Sequence, residues 1–256
     1  NIYMEEVFKS VTEREPPPPD KWRLITPPEA RALLLSVVIM APVFAYVEAG
    51  GFVGWRDFVS FLVPAVAASV VLVIADELSE AIVSKTRGYW AEYSFWPHGA
   101  LSMILTGILF NSPFACPGRT VFSRGYPRLE KARLVFYKTL LLLGLVGAFA
   151  ALESAGLEVL SDVGVLAALA LAFYSLFPVP PLPGYELVSE SKAAWALAFA
   201  LTGALYLTYL LRLVDAGLLV PLGCLTAAAA ILDLAVLKVL GVSPLSVLIR
   251  EARARP

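Results

Sequence analysis

The residues best placed to do chemistry are Asp76-Glu77-Leu78-Ser79-Glu80, at the end of a long apolar run. Asp76 and Glu80 are four apart, and Glu77 and Glu80 three apart, so a helix would present them as neighbours. A charge inside a bilayer costs about 2.5–3.5 kcal/mol on insertion scales, which makes each of these acids a functional hypothesis. The spacing is that of a metal-binding helix, with acids at both positions that would hold histidine. An all-oxygen site built from such acids would suit magnesium or manganese better than zinc. Without a metal, three acids this close in a low dielectric do not all ionise, and they need cationic partners. Lys85, Arg87 and the basic stretch 119–133 are the nearest in sequence.

Other reactive side chains are sparse. The chain has one histidine, which excludes a multi-histidine zinc centre. His98 lies in Trp96-Pro97-His98-Gly99 and reads as a hydrogen-bonding residue of a surface turn. Cys116 and Cys224 are far apart and read as small buried apolar residues, without a disulfide. Asp233 falls in the last apolar run and Glu92 on the surface. No nucleophilic triad, phosphate loop or haem motif is present, and no cofactor is expected.

The elements that must position these acids are membrane helices. Hydrophobic residues make up 59% of 256 and charged ones 16%, a composition with several spans and no room for a sizeable soluble domain. The net charge of −1 gives no case for nucleic-acid binding. Spans are expected at 30–47, 58–84, 134–152, 163–176, 193–213 and 218–240. Thr26 is the expected cap of the first, ahead of Pro27-Pro28-Glu29. Residues 88–96 are aromatic and alternate loosely, as strands or an interfacial hairpin do. Residues 97–110 are apolar but too short to cross. If they do not cross, all but Arg56 and Arg212 of the 20 lysines and arginines fall on one side of the membrane. The expectation is therefore an all-α polytopic protein of six spans, with a re-entrant or interfacial hairpin between the second and third. It would be a multi-pass protein of the cell membrane with both termini cytoplasmic. An N-terminal tail, 1–29, carries Pro16-Pro17-Pro18-Pro19 and is read as either a surface helix or a charged tail. The membrane domain would cover 30–240 and a basic tail 241–256. Trp55, Trp90, Trp96 and Trp195 read as interfacial belt residues, and Gly144, Gly147 and Thr202-Gly203-Ala204 as helix contacts.

Several motifs together resemble one family, the intramembrane zinc metalloproteases called site-2 proteases, in particular their archaeal branch. Asp76-Glu77-Leu78-Ser79-Glu80 stands where the family has H-E-x-x-H. Gly88-Tyr89-Trp90-Ala91-Glu92-Tyr93 is similar to the segment that follows that helix. Ser112-Pro113-Phe114-Ala115-Cys116-Pro117-Gly118 is similar to an Ala-Pro-Gly loop, and Phe177-Pro178-Val179-Pro180-Pro181-Leu182-Pro183-Gly184 to L-P-x-P-P-L-D-G. The resemblance covers about 57–192. It implies that Asp76, Glu80 and Pro183 mark relict metal-ligand positions and that Glu77 matches the general base. Pro183 has no donor atom, and catalytic zinc needs three protein ligands. The resulting expectation is a proteolytically inactive relative without metal or cofactor. It would act as a scaffold, helix-binding adaptor or accessory subunit, with the bilayer and partner transmembrane helices as its surroundings. Asp76, Glu77, Glu80 and Glu186 would remain as a polar cluster. An active carboxylate-metal protease, and a proton or ion pathway through Asp76, Glu77, Glu80 and Asp233, are the alternatives.

Overall fold

In a computed structural model, residues 13–14, 25–51, 55–226 and 228–229 are described, with the backbone alone at 13–14, 55–56, 77–79 and 216. The first helix, α1 (Pro27–Glu48), starts as its sequence dictates. Thr26 Oγ1 accepts the Glu29 N–H at 3.3 Å, and the Glu29 carboxylate accepts the Thr26 N–H at 3.2 Å. This reciprocal pair satisfies amides that the first helical turn leaves open. Pro42 lies inside α1, which continues through it.

The second helix, α2 (Trp55–Val73), passes through a π turn at Ile74–Leu78 into α3 (Ser79–Thr86). Then follow α4 (Pro97–Phe110), α5 (Arg128–Ala151), α6 (Glu158–Ser175), α7 (Pro183–Glu190) and α8 (Lys192–Leu210). Helix α6 is the centre of the bundle, with α1, α2, α5 and α8 packed around it. Its stretch from Gly164 to Ala172 is buried throughout and rich in alanine, which lets neighbouring backbones approach. A Cβ on Gly164 would lie 2.2 Å from the Phe149 ring of α5.

Five helical segments are long and apolar enough to cross a membrane: Pro27–Glu48, Asp57–Thr86, Arg128–Ala155, Glu158–Ser175 and Lys192–Leu210. They match the first five expected spans. The expected sixth begins as the apolar helix Gly217–Thr226. Asp233 and the tail 241–256 lie outside the described residues, so the six-span count rests on sequence. Gly147 does meet another helix: a Cβ there would fall 2.4 Å from Gly223 Cα. Gly203 is likewise pressed against Phe173, at 2.9 Å.

The protein is mostly helical but not all-α. A three-stranded sheet has the order β1-β3-β2, formed by β1 (Glu13–Arg14), β2 (Ala91–Phe95) and β3 (Gly118–Ser123). Strand β2 runs antiparallel to β3 from Ala91↔Phe122 to Phe95↔Gly118, and β1 pairs parallel on the other side of β3. The aromatic alternation of 88–96 is a strand signal because those side chains pack alternately on a half-buried surface. Between β2 and β3 lie α4 and a seven-residue return, 111–117. The excursion leaves and rejoins the sheet at one point, where Phe95 pairs with Gly118 and the Trp96 N–H donates to the Pro117 carbonyl at 2.9 Å. Fourteen helical residues span only about 21 Å, short of a bilayer core of about 30 Å.

Four smaller expectations change. Trp90 is buried and is not a belt residue, because β2 and its surroundings enclose it. Cys224 is exposed on the last helix, whereas Cys116 is buried as expected. Glu92 is half-buried and accepts the Thr26 hydroxyl at 2.6 Å, which ties α1 to the sheet. The N-terminal tail is neither helix nor free at Glu13–Arg14, where it adds a strand.

Candidate functional site

The acidic stretch lies where the helix line of α2 and α3 loosens into the π turn, a place where helices often carry function. The π turn packs against α5 and against β3. From α5, Lys138 reaches into the gap between two acids. Its Nζ is 3.2 Å from Asp76 Oδ1 and 3.6 Å from Glu80 Oε1. All three side chains are sealed from solvent, with exposures of 2%, 1% and 3% respectively. An ammonium thus stands within reach of both carboxylates, in a span where unpaired charge would be untenable.

Lys138 was legible in principle. It interrupts the apolar run that starts at Leu134, and a lysine inside a span demands a partner. Sequence order pointed instead to Lys85, Arg87 and 119–133. In the folded chain Lys85 pairs with Glu29 at 2.9 Å and Arg87 with Glu130 at 2.6 Å. Arg133 also pairs with Glu130, and Lys131 with Glu186 at 3.5 Å. Glu29 is wholly buried. Besides Lys85 it takes the Tyr93 N–H at 3.0 Å, so it fastens α1, α3 and β2 together. Tyr126, in the turn before α5, shares a 3.1 Å hydrogen bond with Ser84, and burial raises its phenol above the usual value.

The proline loop brings the third expected position close. Pro183 opens α7, where its missing N–H is no loss, and Gly184 sits so tightly that a Cβ would be 2.2 Å from the Leu176 backbone. Glu80, Pro183 and Glu186 line one narrow cavity together with Arg119, Thr120 and Lys131. Its volume of about 20 Å³ is that of one water. The fold therefore gathers Asp76, Glu80, Pro183 and Glu186 around two lysines. Glu77 has its backbone in the π turn, and its side chain lies outside the described residues. His98 is exposed on the first turn of α4 and is not among the residues lining the cavity. No group of three or more His, Cys, Asp and Glu disposed to hold a metal occurs among the described residues.

A second cavity, unmarked in the sequence, opens at the opposite end of the bundle. Its volume is about 310 Å³, and Glu48, Asp162, Tyr209 and Arg212 line it. Tyr209 donates to Asp162 at 3.5 Å. These residues come from α1, α6, α8 and the turn after α8, so their spacing in sequence carries no motif.

No family model, curated protein or solved structure matches the chain.

Proposed function

We propose that this chain is a site-2-protease-like membrane protein in which a buried ion cluster stands where the family holds its metal. In this reading it is a non-catalytic scaffold or accessory subunit that binds transmembrane helices of a larger membrane complex. The observation that carries the reading is the Lys138 ammonium between Asp76 and Glu80. A divalent cation held by those carboxylates would meet a fixed positive charge, and Pro183 offers no third donor. These residues do not fit zinc.

Two features support the rest. The α4 excursion starts and ends at one strand end, which fits a re-entrant segment; with a sixth span after Gly217 both termini fall on one side, and the lysine and arginine placement makes that side cytoplasmic in this reading. The outer faces of the spans are apolar, as helix capture within a bilayer requires. Among them Leu34, Val63 and Leu197 are strongly exposed. The test is reconstitution of the full chain in lipid vesicles with a fluorescent transmembrane peptide. Energy transfer to the chain without peptide cleavage, and no stoichiometric divalent metal after purification, are expected. A bound metal that disappears together with cleavage in Glu80→Ala would overturn the reading.

One alternative has an observation in its favour. Lys138, Asp76 and Glu80 are ionisable groups inside spans, and an acid-lined cavity opens at the other end of the bundle. That arrangement suits a proton or ion pathway. Vesicles with a pH-sensitive dye decide it: proton flux that Lys138→Met abolishes would favour the pathway, and its absence favours the scaffold.

A further inference from the structure

Glu80 and Thr120 come from different elements, α3 and β3, and both are more than nine-tenths buried. Each carries an oxygen with no hydrogen-bond partner among the described residues, Glu80 Oε1 and Thr120 Oγ1. The Thr120 hydroxyl lies close to the Glu80 carboxylate but outside hydrogen-bonding geometry. Lys138 Nζ is 3.6 Å from Glu80 Oε1, which is also beyond a hydrogen bond. A buried oxygen left unbonded is costly, and native proteins satisfy nearly all of them through protein groups or ordered water. Both residues line the same narrow cavity. Its walls also include Arg119 of β3, Lys131 of α5 and the proline loop that runs into Glu186 of α7.

The volume of about 20 Å³ has room for one water or a monatomic ion. The charges of the walls choose between them. A metal cation would stand beside the Lys131 ammonium, with Lys138 3.6 Å from the same carboxylate. A halide would face the carboxylates of Glu80 and Glu186. A neutral water can donate to Glu80 and accept from the Thr120 hydroxyl, and two to four polar partners are what a buried water needs. We propose that a single water molecule occupies this cavity and bridges Glu80 to Thr120. It joins α3 to β3 where no direct side-chain bond does. It also extends the cluster of Asp76, Lys138 and Glu80 to the sheet, so that the π turn, α5 and β3 share one polar network. The bridge holds whether or not the chain captures other helices, because it needs only the two oxygens and the space between them.

The test is radiolytic footprinting of the full chain in lipid vesicles, in which an X-ray pulse turns bound water into hydroxyl radicals that oxidise the nearest side chain. Leu182 lines the cavity and is 6% exposed; Leu134 of α5 is 4% exposed and does not line it. Oxidation of Leu182 should exceed that of Leu134 several-fold. Thr120→Val keeps the shape and removes the hydroxyl, and should bring Leu182 down to the level of Leu134. Thr120→Ser keeps the hydroxyl and should retain the signal. Equal oxidation of the two leucines in the parent would overturn the proposal, and so would a Leu182 signal that Thr120→Val leaves unchanged. EDTA separates a free water from one carried by a metal: a signal indifferent to EDTA supports the bridge, and one that EDTA abolishes overturns it. Should Thr120→Val fail to fold, a density map of the parent fine enough to show ordered water decides. One peak at about 2.5–3.0 Å from both oxygens is expected. No peak, or one at the about 2.0–2.2 Å of a metal–oxygen bond, would overturn the bridge.

Discussion

Lys138→Met removes the ammonium and keeps an apolar stem of similar length. Two carboxylates would then share a sealed site with their cation gone. Breaking a buried pair by deleting one partner costs about 3–5 kcal/mol, because a charge is left uncompensated. For a chain of this size each kcal/mol corresponds to about 2–4 °C in Tm, so the expected drop is about 6–20 °C. The magnitude alone does not isolate electrostatics, so a triple variant completes the design. Asp76→Asn/Glu80→Gln/Lys138→Met removes all three charges at nearly constant volume, and neutral replacement of a buried ion cluster is often close to neutral in stability. The triple variant should recover most of the lost Tm. The assay is thermal unfolding in detergent at fixed pH, read by the fluorescence of a thiol-reactive dye. A triple variant as unstable as Lys138→Met would refute the reasoning, since the loss would then come from packing. So would a Lys138→Met variant that melts with the parent.

Glu29→Gln should cost about 3–5 kcal/mol, because it leaves Lys85 without its buried carboxylate; the loss should show as a lower Tm and faster hydrogen exchange in β2. Gly147→Val should destabilise by at least the 1–3 kcal/mol typical of overpacking, because its side chain would enter the Gly223 backbone; Gly217→Ala, with nothing within 4 Å, should melt like the parent. A chelator such as EDTA should leave the Tm of the purified chain unchanged, and a chelator-induced fall would argue for a structural metal that the carboxylates hold in spite of Lys138.

Long continuous apolar runs mark membrane helices, and the five long segments follow from them. Thr26-Pro27-Pro28-Glu29 announces the start of α1 through capping chemistry, and the helix begins there. The strands were harder to place. Residues 91–95 carry a visible alternation, but β1 is two residues long and owes its place to the β3 edge, which no local pattern reveals. The site was half legible. The helical spacing of Asp76 and Glu80 puts them on one side, and the proline motif places Pro183 and Glu186 nearby. Lys138 comes from a helix more than fifty positions later. Its role depends on how α5 packs on the π turn, and burial alone separates it from the lysines and arginines that merely follow the membrane surface. Glu48 and Asp162 show the same limit, since only the bundle brings them together.

An ion cluster sealed between helices contributes little net stability compared with apolar side chains, because desolvation offsets most of the attraction. What it does supply is position. Lys138 stands within ion-pair distance of Asp76 and Glu80 in one register of α5 against the π turn; a shift of one residue along α5 would swing the ammonium away from two buried carboxylates. Lys131 with Glu186 fixes α5 against α7, and Lys85 with Glu29 fixes α3 against α1. Three buried pairs thus set the relative placement of α1, α3, α5, α7 and the π turn. A hydrolase would need an open coordination position and water at that point. Here a lysine ammonium stands at that point instead, and in the proposed scaffold reading its pairing would hold the register of the surrounding helices. If that is the purpose of the cluster, the triple neutral variant should regain its Tm yet bind the transmembrane peptide more weakly than the parent does. Unimpaired binding by the neutral variant would show that the register is set by apolar packing and that the charges are incidental to the scaffold.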